Sequence, residues 1–304
     1  MRSRRIHAFS ALALLAAAAL LPGALQAGAK SIYGEDDRLD LYALSPELRD
    51  LADSVVSLWK TDNIAFSGES AKLMTLNLGK AIDLCPGERF SEQPTGAFCS
   101  GALVAPDLVL TAGHCVKTDA DCGKTSFVFG YALRSAGGAP DTEMPAGEVY
   151  SCAKVLVRSP VAAPAGRDKE PDFALVKLDR PVFGHKPLEL ERAGAPKAGD
   201  NIFVIGHPLG LPVKAAGVAV IREASEKWRF LADLDTFGGN SGSPVFDAGT
   251  RLVKGILVSG PKDFKAGPGG CTSSVVYPQD GGEGESVAGI SAVVSFVPFE
   301  EKLP

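Results

Sequence analysis

Three short stretches of this 304-residue chain carry side chains that together suit the cleavage of an amide. That reaction needs a nucleophile stronger than neutral water, a base to take its proton, and donors aimed at the oxyanion of the tetrahedral intermediate. Thr111-Ala112-Gly113-His114-Cys115 follows the apolar run Leu108 to Leu110 and offers an imidazole. Asp172-Phe173-Ala174-Leu175 places a carboxylate at the entry of an apolar strand. Gly238-Gly239-Asn240-Ser241-Gly242-Ser243-Pro244 sets serines in a glycine-rich turn. Ser243 has the same local company as Ser241, but Gly239 lets the backbone bend so that two N–H groups converge beside Ser241. Asp172 is preferred to Asp168 and Asp179 because it alone leads directly into Phe173-Ala174-Leu175. Of the other histidines, His7 goes with a leader, His185 reads as solvated, and His207 reads as a structural turn residue beside a strand end.

These motifs, in the order His, Asp, Ser, resemble those of the trypsin-like peptidase family. The likeness is strongest to the bacterial branch that includes the glutamyl endopeptidases, where Gly-Asn-Ser-Gly-Ser-Pro replaces Gly-Asp-Ser-Gly-Gly-Pro. It spans roughly Ala97 to Val258 and implies a secreted serine endopeptidase working through an acyl-enzyme. His114 is then the general base, Asp172 the orienting carboxylate and Ser241 the nucleophile, with the N–H groups of Gly239 and Ser241 as the oxyanion hole. The implied fold is all-β: two six-stranded antiparallel barrels with the active site in the cleft between them. An α/β-hydrolase is excluded, since its order is Ser, Asp, His and no histidine follows Ser241.

The resemblance also implies a specificity pocket. Asp235, six residues before the nucleophile, falls where trypsin carries the residue at the pocket base, which implies cleavage after Lys or Arg. Leu257, Ser259 and Gly260 fall on the pocket wall; Gly260 leaves room for a long side chain. Leu257 stands where glutamyl endopeptidases carry a histidine, which argues against a glutamate preference. Asp235-Thr236 is alternatively a cap for the turn before Phe237. In the animal enzymes a freshly exposed N-terminal amine pairs with the aspartate just before the serine. Asn240 stands there in this chain, and a neutral amide cannot form that ion pair, so activation needs another device.

The elements that must position these groups read as short apolar runs broken by Gly, Pro, Asp and Asn, as in a β-sandwich or barrel. They include Val55 to Trp59, Leu73 to Leu78, Leu108 to Ala112, Phe127 to Phe129, Phe173 to Leu178, Ile202 to Ile205, Leu252 to Val258 and Ala292 to Phe296. One short helix is expected at Ser45, with Ser45 as cap and Pro46 in the first turn. Pro-rich residues 180–200 suggest a link between two halves, and Pro261 to Gly284 reads as a surface loop. The chain therefore divides into a leader (1–27), an arm or pro-segment (28–53), a first barrel (54–185) and a second (186–304).

Arg2, Arg4 and Arg5, the apolar stretch Ala8 to Leu21 and small residues up to Ala29 have the layout of a signal peptide, with cleavage after Ala27 or Ala29. A secreted destination, periplasmic or extracellular, follows, without a membrane span in the mature chain. The six cysteines suit an oxidising compartment and three disulfides. By the resemblance Cys99 pairs with Cys115; among the remaining pairings, Cys122 with Cys152 and Cys85 with Cys271 are favoured. No thiols sit at zinc-site spacing, and Asp280 to Glu285 lacks EF-hand spacing and reads as a solvated loop, so no metal or cofactor is expected. A net charge of −5 and the lack of a basic stripe speak against nucleic acid. The expected partners are protein or peptide substrates of a monomer; the rival reading is an inactive binding protein of the same fold at the cell surface.

Overall fold

The computed structural model describes residues 31–159, 171–226 and 228–298. The leader with its cleavage point, Lys30 and Asp168 lie outside the described residues. The first barrel consists of β1 (Val55–Lys60), β2 (Cys99–Ala105), β3 (Leu108–Thr111), β4 (Thr125–Val128), β5 (Val149–Arg158) and β6 (Ala174–Leu178). Antiparallel neighbours run β1-β2-β3-β6-β5-β4 and back to β1. The second consists of β7 (Asn201–Gly206), β8 (Lys214–Glu226), β9 (Arg229–Ala232), β10 (Pro244–Asp247), β11 (Val253–Ser259) and β12 (Glu285–Gly289). Its neighbours run β7-β8-β9-β12-β11-β10 and back to β7, the same pairing order.

Alternation along the strands explains why two barrels form and why they pack together. Side chains of a strand point to opposite faces in turn. In β6, Ala174, Val176 and Leu178 fill the first barrel, while Leu175 joins a separate cluster. In β7, Ile202 and Val204 fill the second barrel, while Phe203 and Ile205 join that same separate cluster. The shared cluster, with Leu110 and Val253 also in it, glues the barrels face to face. Both faces of these strands are buried, so the sequence shows near-continuous apolar runs.

The arm packs on the second barrel. Ile32–Tyr33 pairs in parallel with Val276–Tyr277, and Leu39–Asp40 extends the sheet at Lys214–Ala215. The expected helix spans Pro46–Ala52, capped by Ser45 Oγ accepting from Leu48 N–H at 3.4 Å. It is the longest α-helix among the described residues. All three disulfides take the favoured pairings: Cys99–Cys115, Cys122–Cys152 and Cys85–Cys271.

Four local expectations need correction. The run Leu73 to Leu78 is not one strand but the end of Ser70–Leu73, a two-residue strand and the start of a helical turn. Ala292 to Phe296 forms 3₁₀ turns, with Val293 and Val297 buried four residues apart as helical geometry allows. The 261–284 loop contains a hairpin, Phe264–Ala266 with Thr272–Ser274, and the acidic run after it ends in a fully buried Glu285. His185 is not solvated: its ring bonds Asp53 at 2.9 Å and Glu148 at 2.8 Å and stacks on Phe129. These two carboxylates outweigh burial and push the imidazole up to about 9.

Candidate active site

His114 stands three residues after β3, and Asp172 two residues before β6; the two strands are adjacent, with Thr111 opposite Ala174. The carboxylate grips the histidine twice. Asp172 Oδ2 lies 2.7 Å from His114 Nδ1, and Oδ1 accepts the His114 backbone N–H at 3.0 Å. Two contacts fix the ring's orientation and select the Nδ1–H tautomer, which leaves Nε2 to accept a proton. Gly113 makes this approach possible, because a Cβ there would stand 2.7 Å from Asp172 Oδ1 and 2.8 Å from the Phe173 carbonyl oxygen. Beside the ring, the Cys99–Cys115 sulfurs lie within 4.8 Å of an imidazole nitrogen; bonded to each other, they offer no thiolate to a metal.

Ser241 lies in the turn entering β10. Gly239 has φ +92°, and a Cβ there would meet the His207 carbonyl oxygen at 2.6 Å; Gly242 has φ +86° and would meet the Ser100 carbonyl oxygen at 2.2 Å. Both positions demand glycine on conformational and steric grounds. The turn is anchored across the inter-barrel boundary by Ser100 of β2. Its N–H donates to the Ser241 carbonyl at 2.9 Å, and its Oγ donates to the Gly239 carbonyl at 2.9 Å. His207 N–H donates to the same Oγ at 2.9 Å. Sequence reasoning missed this clamp, although Ser100 adjoins Cys99, whose pairing with Cys115 the resemblance implied.

The Ser241 hydroxyl donates to the Val258 carbonyl at 3.3 Å. Ser241 and His114 line one cleft of about 350 Å³, together with Lys60, Phe98, Lys117 and Gly239. A larger hollow of about 680 Å³, bordered by Arg49, Tyr131, Lys186 and Arg251, contains none of the candidate catalytic groups.

Of the residues assigned to the specificity pocket, Asp235 is engaged elsewhere. Leu257 is fully buried and Ser259 and Gly260 are half-buried at the end of β11. Asp235 is 5% exposed, and both its oxygens are taken by the arm: Oδ1 accepts Tyr33 N–H at 2.8 Å and Oδ2 accepts Asp37 N–H at 3.0 Å. Burial, reinforced by the neighbouring carboxylates of Asp37 and Asp36, pushes Asp235 up to about 7. The carboxylate in this geometry organises the arm and is not presented to the catalytic cleft. His207 is wholly buried, its Nδ1 2.9 Å from the Leu211 carbonyl oxygen; burial pulls it down to about 4, so the ring is neutral.

Comparison with known proteins places this geometry in a family. The model of the trypsin-like peptidase domain matches residues 99–255, more than half of the chain. The glutamyl endopeptidase of Bacillus licheniformis is 29% identical over 159 residues, covering 49% of this chain and 45% of the relative. That of Staphylococcus aureus strain MW2 is 30% identical over 187 residues, covering 57% and 50%. The chain thus spans about half the length of the curated relatives it matches. A solved Glu endopeptidase bound to MPD aligns at 17% identity and a TM-score of 0.48, over 88% of this chain and 97% of that one. On the extent of the domain match, the chain belongs to the trypsin-like peptidase family.

Proposed function

We propose that the protein is a secreted serine endopeptidase that cleaves peptide bonds through a Ser241 acyl-enzyme. The observation that carries this reading is the doubly bonded Asp172–His114 pair opening onto the cleft that Ser241 also lines. Ser241 Oγ attacks the scissile carbonyl carbon while His114 Nε2 takes its proton. Asp172 stabilises the imidazolium, and the Gly239 and Ser241 N–H groups hold the oxyanion. His114 then gives the proton to the leaving amine; an activated water reverses the sequence and frees the acid. Three disulfides support an oxidising destination, and no helix among the described residues is long and apolar enough to cross a membrane.

The test is turnover of an unstructured protein substrate by the wild type and by Ser241→Ala and His114→Ala. Each substitution is expected to lower kcat by roughly 10³-fold or more, since triad members act as a unit, with the melting temperature little changed. Activity persisting in Ser241→Ala removes the reading.

Cleavage after Lys or Arg through Asp235, as spacing from Ser241 implies, requires that carboxylate to reach the substrate, and the Tyr33 and Asp37 amides occupy it instead. The glutamate preference in the relatives' names lacks the histidine the resemblance ties to it, since a buried leucine, Leu257, stands at that position. We infer that P1 selection rests on the Ser259–Gly260 wall without a charged base at Asp235. In a peptide series varied only at P1, Asp235→Asn should alter the Lys-to-Gln ratio by less than about threefold, where loss of a true charge pairing costs far more.

A further inference from the structure

We propose that Leu209 and Asp263 are positioning residues for the oxyanion site: between them they hold the Gly238–Gly239 peptide with its N–H turned into the cleft. The proposal rests on the peptidase reading, which makes that N–H a donor to the tetrahedral intermediate.

This peptide joins two glycines, and glycine accepts φ of either sign. No side chain of its own therefore prevents a half-turn that would put the Gly238 carbonyl oxygen in the cleft and take the Gly239 N–H out of it. The surroundings prevent it. The peptide is trans, so its C=O and N–H point in opposite directions. Leu209, which does not line the cleft, donates its N–H to the Gly238 carbonyl at 2.5 Å. The Gly239 N–H is thereby directed away from Leu209, and no group among the described residues accepts it. After a half-turn it would face the Leu209 N–H, donor against donor.

Leu209 keeps its N–H in place at a conformational cost. Its φ of +54° and ψ of 22° are left-handed, a region that leucine seldom adopts. Such strain persists only where neighbours over-determine it. Here Thr95 Oγ1 donates to the Leu209 carbonyl, Gly96 N–H to the Gly210 carbonyl at 3.1 Å, and Gly210 N–H to the His207 carbonyl at 3.0 Å. Thr95 and Gly96 belong to the connection between β1 and β2, so residues before β2 help to aim a donor beside Ser241.

Asp263 holds the preceding peptide. Its Oδ2 accepts the Gly238 N–H at 3.0 Å, so the peptides on both sides of the Gly238 Cα are fixed. An ionised acceptor makes the stronger kind of hydrogen bond. The 261–284 loop places this carboxylate: the Asp263 carbonyl accepts Val275 N–H at 2.8 Å, and the Phe264 ring packs on Phe237 with centroids 5.4 Å apart. Cys271, in the turn of the hairpin that follows, is bonded to Cys85.

The experiment measures kcat and KM of the secreted full chain and four variants on the best-cleaved member of the P1 peptide series. Valine is β-branched and hostile to the left-handed region, so Leu209→Val withdraws the N–H. It should lower kcat roughly 10- to 100-fold with KM within about threefold, since an oxyanion donor acts in the transition state. Leu209→Gly removes more of the side chain but adopts the same conformation without strain, and should keep most of the wild-type rate. Asp263→Ala should lower kcat about tenfold, and Asp263→Asn, whose side-chain oxygen can accept the same N–H, should recover most of it. An unchanged kcat in either Leu209→Val or Asp263→Ala overturns the proposal. So does a Leu209→Gly slower than Leu209→Val, or a loss confined to KM. If melting shows that Leu209→Val does not fold, the Asp263 pair decides alone. If the wild type cleaves no member of the series, the peptidase reading fails. The direction of the Gly238 carbonyl in crystals of the wild type and Asp263→Ala then decides the positioning: turned into the cleft in the variant, it upholds the proposal, and unturned, it overturns it.

Discussion

The two barrels share one strand order, yet they bury different chemistry. Among the described residues, the polar side chains buried in the first barrel are all hydroxyls, such as Ser57, Ser100, Thr111 and Thr125. The second barrel buries Lys214, Asp233, Asp235, Lys254 and Glu285. Hydroxyls are satisfied locally by backbone partners, whereas buried charges need specific counterparts. The second barrel finds several of them outside itself. Lys214 Nζ lies 2.6 Å from Asp40 of the arm and 2.8 Å from Gln93 Oε1 of the long β1–β2 connection, and Asp235 is filled by arm amides. The disulfides follow the same division. Cys99–Cys115 and Cys122–Cys152 close the first barrel on itself, whereas Cys85–Cys271 ties the second barrel's late loop to the β1–β2 connection. The half that supplies Ser241 thus takes partners for its buried charges from the arm, whereas in the half that supplies His114 and Asp172 it is His185 that reaches the arm, at the exposed Asp53.

Breaking the contrast should cost most at the buried ion pair. Lys214→Met leaves Asp40 with its charge and without its ammonium, and is expected to destabilise the protein by about 3–5 kcal/mol in urea unfolding. Adding Asp40→Leu should restore much of the loss, since removing both charges is often neutral. A loss that is additive in the double variant would show that the pair is not coupled.

The next effect is one of pH. Burial and the Asp37 carboxylate raise folded Asp235 to about 7 from an ordinary value of 3.8. An acid whose folded pKa is raised contributes stability that is fully present below its unfolded value and is lost as pH rises through the folded one. Stability should therefore decline between about pH 4 and pH 7 on this group's account, and Asp235→Asn should flatten that decline in melting curves taken across the range. An unchanged slope in the variant would assign the titration to another group.

The smallest effect belongs to the first barrel. Ser57 donates to the Val128 carbonyl at 3.0 Å and accepts the Trp59 indole N–H at 2.9 Å. Ser57→Ala strands that N–H and should cost about 1–3 kcal/mol, with no dependence on pH between 4 and 8. A pH-dependent loss there would erase the distinction between the barrels.

What the sequence reveals follows the same line. The candidate residues His114 and Ser241 stood out in the sequence because each sits in a short motif whose glycines answer a local steric demand, as Gly113 and Gly242 do, and Asp172 stood out by the apolar run it leads into. Strands such as β6 and β7 were legible as apolar runs. The role of Asp235 was not, because its partners Tyr33 and Asp37 lie about 200 residues away and nothing in its own neighbourhood names them. His185 was misread for the same reason: Asp53 and Glu148 reach it only after the chain has closed. The bend into 3₁₀ turns at Ile290–Ala292 and Val294–Phe296 escaped because a short apolar run does not declare its period.

The most direct measurement is the mass and position of the adduct formed with a fluorophosphonate. One phosphonyl group should attach to the mature protein, map to the peptide containing Ser241, and form far more slowly in His114→Ala. An adduct that survives Ser241→Ala, or a folded wild-type protein that forms none, would contradict an activated serine at this site.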